Sequence, residues 1–112
     1  MNDSELHGAA RVREVFARVH DGDAEGAASL FADDALIQYS GRDRVEGREA
    51  IRAFYQSQID TIRPKPEVES VFEQPPRYVA IVNVPTTDGQ RRALDLFEVD
   101  ERGVRRLEIF AW

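Results

Sequence analysis

Apolar side chains recur every three to four residues through the first part of the chain and every second residue through the last part, so the pattern reads as helices followed by strands. Leu6, Ala10, Val12, Val15, Phe16 and Val19 share one face of a helix of about four turns. It opens after Asp3 and Ser4, both good N-caps, and stops at Asp21-Gly22. Asp23 caps a second helix over Ala24–Ala32, with Ala27, Leu30 and Phe31 on its apolar side and Asp33-Asp34 at its end. Ala35–Ser40 reads as a short strand and Gly41–Gly47 as a charged loop or hairpin. Arg48 to about Ile62 reads as a third helix carrying Ile51, Phe54, Tyr55 and Ile59 on one side. Pro64 and Pro66 end it, because proline lacks an amide hydrogen and crowds the preceding turn.

From Glu67 onward β-branched and aromatic residues gather in four runs, Glu67–Glu73, Arg77–Thr86, Gln90–Val99 and Val104–Trp112. Turn residues separate them: Gln74-Pro75-Pro76, Asp88-Gly89 and Glu101-Arg102-Gly103. Three helices ahead of a mostly antiparallel sheet make an α+β chain with the helices on one sheet face. Both alternating sets in the last two runs are apolar: Leu94 and Leu96 against Ala93, Phe97 and Val99, then Leu107 and Ile109 against Phe110 and Trp112. Such a sheet needs cover on both sides, and three short helices supply one. A homodimer through the outer sheet face is the expectation.

The chain has 112 residues, which fits a single domain over residues 1–112. An apolar fraction of 42% argues against disorder, and a net charge of −6 argues against a nucleic-acid partner. Cysteine is absent, which removes disulfides, thiolate metal sites and cysteine nucleophiles. No hydrophobic leader is seen, and the longest apolar run is the four residues Val79–Val82, so a cytoplasmic protein without a membrane partner is expected. His7 and His20 lie 13 residues apart without an acid pair at ligand spacing, so no metal is expected.

Asp21-Gly22-Asp23, Leu30-Phe31-Ala32-Asp33-Asp34-Ala35 and Gly47-Arg48-Glu49-Ala50-Ile51-Arg52-Ala53-Phe54-Tyr55 resemble the first half of the NTF2-like superfamily, in its ketosteroid isomerase-like and SnoaL-like branches. Leu94 to Gly103 and the closing Phe110-Ala111-Trp112 resemble the last hairpin of steroid isomerases. The resemblance implies the NTF2-like cone, a cystatin-like α+β barrel in which a curved sheet wraps around helices and encloses an apolar cavity, commonly within a dimer. The same scaffold hosts isomerases, cyclases, epoxide hydrolases and proteins without catalysis. In steroid isomerases the cavity carries a tyrosine from the first helix, a general-base aspartate, and a late aspartate kept protonated to hydrogen-bond an enolate. By that resemblance the late aspartate falls on Asp95, the base position on Tyr39, and the first-helix tyrosine on Val15, with Phe16 beside it. A tyrosine with a pKa near 10 donates to an oxyanion but does not readily take a proton from carbon. Epoxide hydrolases of this fold place arginine where this chain has Ala93.

Asp95, between Leu94 and Leu96, is the leading catalytic candidate, as a carboxyl of raised pKa in an apolar site. Glu108 is the second. A two-residue turn at Glu101-Arg102 puts it opposite Asp95 as a proton-transfer pair, whereas a longer loop with a bulge at Gly103 sets Asp95 opposite Ile109 and turns Glu108 outward. Tyr39 and Tyr55 are candidates to present hydroxyls to a ligand. Val15, Phe31, Phe54, Phe97, Phe110 and Trp112 are read as apolar wall and core around the substrate. The expected function is a cofactor-independent isomerase or cyclase, similar to steroid delta-isomerases, acting on an apolar ketone or polyketide-type molecule. The alternatives are a non-catalytic ligand-binding or dimerisation module and an epoxide hydrolase-like enzyme.

Overall fold

The computed structural model describes residues 6–39 and 44–111, with the side chain of Ala111 left out. Asp3, Ser4, Gly41 and Trp112 therefore lie outside the described residues. The first helix, α1 (Gly8–His20), starts at His7 without a side-chain cap. It turns Val12, Val15, Phe16 and Val19 into the core, as its spacing predicts, and Leu6 is buried just ahead of it. In α2 (Ala24–Ala28) Asp23 is the cap the sequence suggests, its carboxylate accepting the Gly26 N–H at 2.8 Å.

That second helix is shorter than its apolar spacing predicts, because Leu30 and Phe31 leave it for the sheet. The Leu30 carbonyl accepts the Val104 N–H at 3.0 Å, and the Phe31 carbonyl accepts two N–H groups of Arg48 at 2.9 and 3.1 Å. Strand β1 (Phe31–Tyr39) thus begins four residues before the predicted Ala35. Both residues are fully buried, so their apolar character satisfies either element and long-range pairing decides. The short strand β2 (Arg44–Glu46) pairs back onto β1 with Val45 opposite Ile37, the hairpin alternative of the sequence reading. Helix α3 (Arg48–Ile62) has the predicted bounds. It ends on Arg63 at φ 45°, a left-handed C-terminal cap whose N–H reaches the Ile59 carbonyl at 3.2 Å.

Strands β3 (Glu67–Gln74), β4 (Arg77–Thr86), β5 (Gly89–Asp100) and β6 (Gly103–Ala111) complete one sheet in the order β2-β1-β6-β5-β4-β3. The β1–β6 pair is parallel and every other pair antiparallel. The inner face carries Tyr78, Ala80, Val82, Phe97, Leu107 and Ile37, which close on Val12, Val15 and Phe16 of α1. Phe16 meets Phe97 edge-on at 5.7 Å. The outer face carries Leu94 opposite Phe110 and Val79 opposite Phe72. Phe72 is 59% exposed and Phe110 42%, so among the described residues nothing covers these two side chains. No described helix is long and apolar enough to cross a membrane.

The last hairpin combines the two readings of its register. Asp100 pairs with Gly103 and Val99 with Val104, which is the tight turn at Glu101-Arg102. Glu98 then pairs with Arg106, leaving Arg105 as an extra residue, so the bulge sits at Arg105 and not at Gly103. Beyond it every side chain of β6 moves by one partner, and Asp95 faces Ile109 while Glu108 faces Leu96. Gly103 has φ 119°, and a Cβ there would stand 2.6 Å from the Leu30 carbonyl oxygen, so the turn is pressed against the segment that leads into β1. Arg11, buried at the same place, donates to the carbonyls of Leu6 (2.9 Å) and Leu30 (3.3 Å).

Candidate active site

The hollow enclosed by α1, α3 and the inner sheet face has a volume of about 90 Å³. Phe16 and Val19 line it from α1, Phe54, Tyr55, Gln58 and Ile62 from α3, and Pro64 and Pro66 from the loop that follows. The sheet contributes Tyr39, Val84, Arg91, Ala93, Asp95 and Ile109. Strand alternation explains the last set: Arg91, Ala93 and Asp95 are two residues apart on β5 and so point to the same face. Helical spacing explains Tyr55, Gln58 and Ile62, three and four apart on α3.

Asp95 lies at the closed end, 5% exposed. Its Oδ1 is buried without a hydrogen-bond partner among the described residues. Burial pushes its carboxyl up to about 7, because an apolar site disfavours the charged form. Tyr55, 7% exposed, is raised well above the ordinary phenol value, first by burial and then by the charge of Asp95. Tyr55 is therefore a permanent donor at neutral pH, while Asp95 is divided between acid and carboxylate. Phe54 and Phe31 flank the Tyr55 ring at centroid distances of 5.3 and 6.1 Å, fixing its orientation.

Of the residues expected at the site, Asp95, Tyr39, Tyr55 and Phe54 line this hollow together. Glu108 does not. The bulge at Arg105 turns it to the outer face, where it accepts a hydrogen bond from Arg106 at 3.0 Å, so the expected Asp95–Glu108 pair is replaced by Asp95 and Ile109. Val15, Phe31 and Phe97 are closed into the core and make no part of the wall. Phe110 is on the outer face opposite Leu94, because its neighbour Ile109 takes the inward position. Trp112 lies outside the described residues. Phe16, Gln58 and Arg91 were not foreseen, although Arg91 is four residues before Asp95 on one strand and alternation alone places both on one face. Among the described residues no group of three or more His, Asp or Glu is placed to hold a metal ion.

A SnoaL-like domain profile matches residues 12–107. The chain belongs to the SnoaL-like family. No curated protein matches it. Among solved structures, a protein from Sphaerobacter thermophilus is 28% identical, with 96% of this chain and 97% of that one covered and a TM-score of 0.76. The epoxide hydrolase/cyclase-like enzyme SalBIII, with a role in pyran ring formation in the polyether salinomycin, is 20% identical (93% and 89% covered, TM-score 0.83). A ketosteroid isomerase-like protein from Kribbella flavida is 22% identical (92% and 76% covered, TM-score 0.83). At the last two identities the likeness establishes the shared fold. This SnoaL-like chain is thus an NTF2-like α+β cone, among whose structural neighbours are isomerase-like and cyclase-like proteins.

Proposed function

We propose that this SnoaL-like protein is a cofactor-independent isomerase or cyclase for a small carbonyl compound, with Asp95 as the group that moves the proton. The observation that carries this reading is an aspartate shut away from water, with an unpartnered oxygen, lining an apolar hollow. A carboxyl poised near 7 populates both of its states at neutral pH, the condition for taking a proton and giving it back. Ionised Asp95 removes a proton from the carbon beside the carbonyl. The C–H pair becomes a carbon–carbon double bond, and the carbonyl π pair moves to oxygen as an enolate. Tyr55 holds that oxygen, with Tyr39 as the second hydroxyl on the wall; such donors in a dry site stabilise developing charge by several kcal/mol. In an isomerisation the substrate carries a β,γ double bond, so the enolate is a conjugated dienolate; the neutral acid returns the proton to its γ-carbon, the double bond shifts to the α,β position and the carbonyl re-forms. In a cyclisation the enolate carbon bonds to a second carbonyl carbon, whose oxygen takes the proton.

The test is deuterium exchange at the α-carbons of cyclohexanone in D2O, followed by NMR. We expect acceleration over buffer that rises with pH through about 7, the value of Asp95. The other ionisable groups on the wall are Tyr39, Tyr55 and Arg91. Replacing Asp95 by Ala lowers the rate by at least about a hundredfold. A wild-type rate equal to buffer rejects catalysis and favours the second reading, a ligand-binding module. That reading draws on Tyr39 standing at the base position and on Glu108 pointing away, which leaves Asp95 as the one carboxylate among the described lining residues.

We infer also that two copies pair through the outer sheet face. Leu94, Leu96, Val79 and Ile81 are half-buried there, Phe72 and Phe110 are exposed, and a C2 contact would cover them with their own counterparts.

A further inference from the structure

The hollow is polar at two ends and apolar between. Asp95 and Tyr55 form the closed end, while Arg91 stands at the rim with its side chain 47% exposed and Gln58 is half-buried on α3. Arg91 is the one cation among the described lining residues. It is also held in place: its Nη2 contacts Asp88 Oδ2 at 3.3 Å, and the other oxygen of Asp88 accepts the Thr86 hydroxyl at the tip of the β4–β5 hairpin. The hydrogen bond from Thr86, and more weakly the charge of Arg91, keep the Asp88 carboxyl below its ordinary range, so this anchor stays ionised.

Size narrows the occupant. A dry apolar cavity of about 150 Å³ takes one benzene ring, and pockets for drug-sized ligands run to roughly 300 Å³ and more. A hollow of about 90 Å³ is smaller than either, so a single small ring enters it only with its polar end left outside at the Arg91 rim, and no fused ring system fits. Four residues of strand separate the Cα atoms of Asp95 and Arg91 by about 13 Å. Both side chains leave the same sheet face, so the carboxyl and the guanidinium address opposite ends of the hollow.

Building on the proposed reading of Asp95, we propose that the substrate is a compact single-ring organic acid, its carbonyl oxygen at Asp95 and Tyr55 and its carboxylate on Arg91. The orientation is fixed by charge. A carboxylate at the closed end would give up its hydration in an apolar site with no cation beside it among the described lining residues, whereas at the rim it stays partly in water and meets a tethered guanidinium.

Calorimetric binding of 4-oxocyclohexanecarboxylate and of its methyl ester at pH 6 tests this, with the wild-type protein and the variants Arg91→Gln and Asp95→Ala. The acid should bind about fivefold tighter than the ester, the scale of a half-exposed ion pair. Arg91→Gln should bind the two alike, and Asp95→Ala should weaken both by similar factors. Equal wild-type affinities, or a preference that survives in Arg91→Gln, overturns the acid-recognition proposal while leaving Asp95 in place as long as Asp95→Ala weakens the ester. If Asp95→Ala changes neither affinity, or neither compound binds, the underlying reading of the pocket fails with it.

Discussion

Asp95 binds its proton more tightly in the folded chain than in the unfolded one, with a value of about 7 against 3.8. Folding therefore takes up a proton between those values. The sign follows: the stability owed to the neutral acid is complete below about pH 4 and is lost as pH rises through 7, a change of about 4 kcal/mol at most. Asp95→Asn, which stays neutral throughout, should melt above wild type at pH 8 and together with it near pH 4.5; parallel curves across that range would show an aspartate open to water. This residue was legible in the sequence because an aspartate flanked by leucines in an alternating strand stands out, and the family resemblance gave it a role. Arg91 was equally legible by parity, four residues before Asp95, but a strand arginine carries no local signal that separates a pocket rim from a solvated surface. Phe16 was displaced by its neighbour Val15 because one residue on a helix is a rotation of about 100°, less than the width of the apolar stripe.

At the level of elements, flanking breakers governed how well the chain could be read. Arg48–Ile62 lies between Gly47 and Pro64, and its bounds were legible; β4, set between the proline turn and Asp88-Gly89, was too. Leu30 and Phe31 were misassigned because burial alone does not distinguish a helix end from a strand start, and the partners that decide, Val104 and Arg48, lie far along the chain. A bulge has no side-chain signature, so Arg105 concealed the fate of Glu108. The turn before it is testable at Gly103, where a positive φ and the nearby Leu30 carbonyl both oppose a side chain. Gly103→Ala should destabilise by about 2 kcal/mol or more, seen as a fall in Tm of about 10 °C. A melting point within 2 or so degrees of wild type would mean that the hairpin tip is free to move off the Leu30 carbonyl.

For the molecule as a whole, two apolar sheet faces were readable from alternation, and on the outer one Phe72 and Phe110 stay exposed among the described residues. Leu96→Glu puts a charge in the middle of that face without touching the hollow. Sedimentation should give twice the chain mass for wild type and the single-chain mass for the variant, and an unchanged dimer would move the contact elsewhere. The strand order could not be read from the sequence, since helical and alternating patterns say nothing about which strands pair. That order has a consequence of its own. Within the sheet, β1 and β2 are stitched to the β3–β4–β5 meander only through β6, a late-sequence strand lying in the middle. The early hairpin and the meander are two panels with a single seam, and the wall bearing Tyr39 meets the wall bearing Asp95 only when the seam closes. The chamber is therefore assembled whole or not at all, whichever panel forms first.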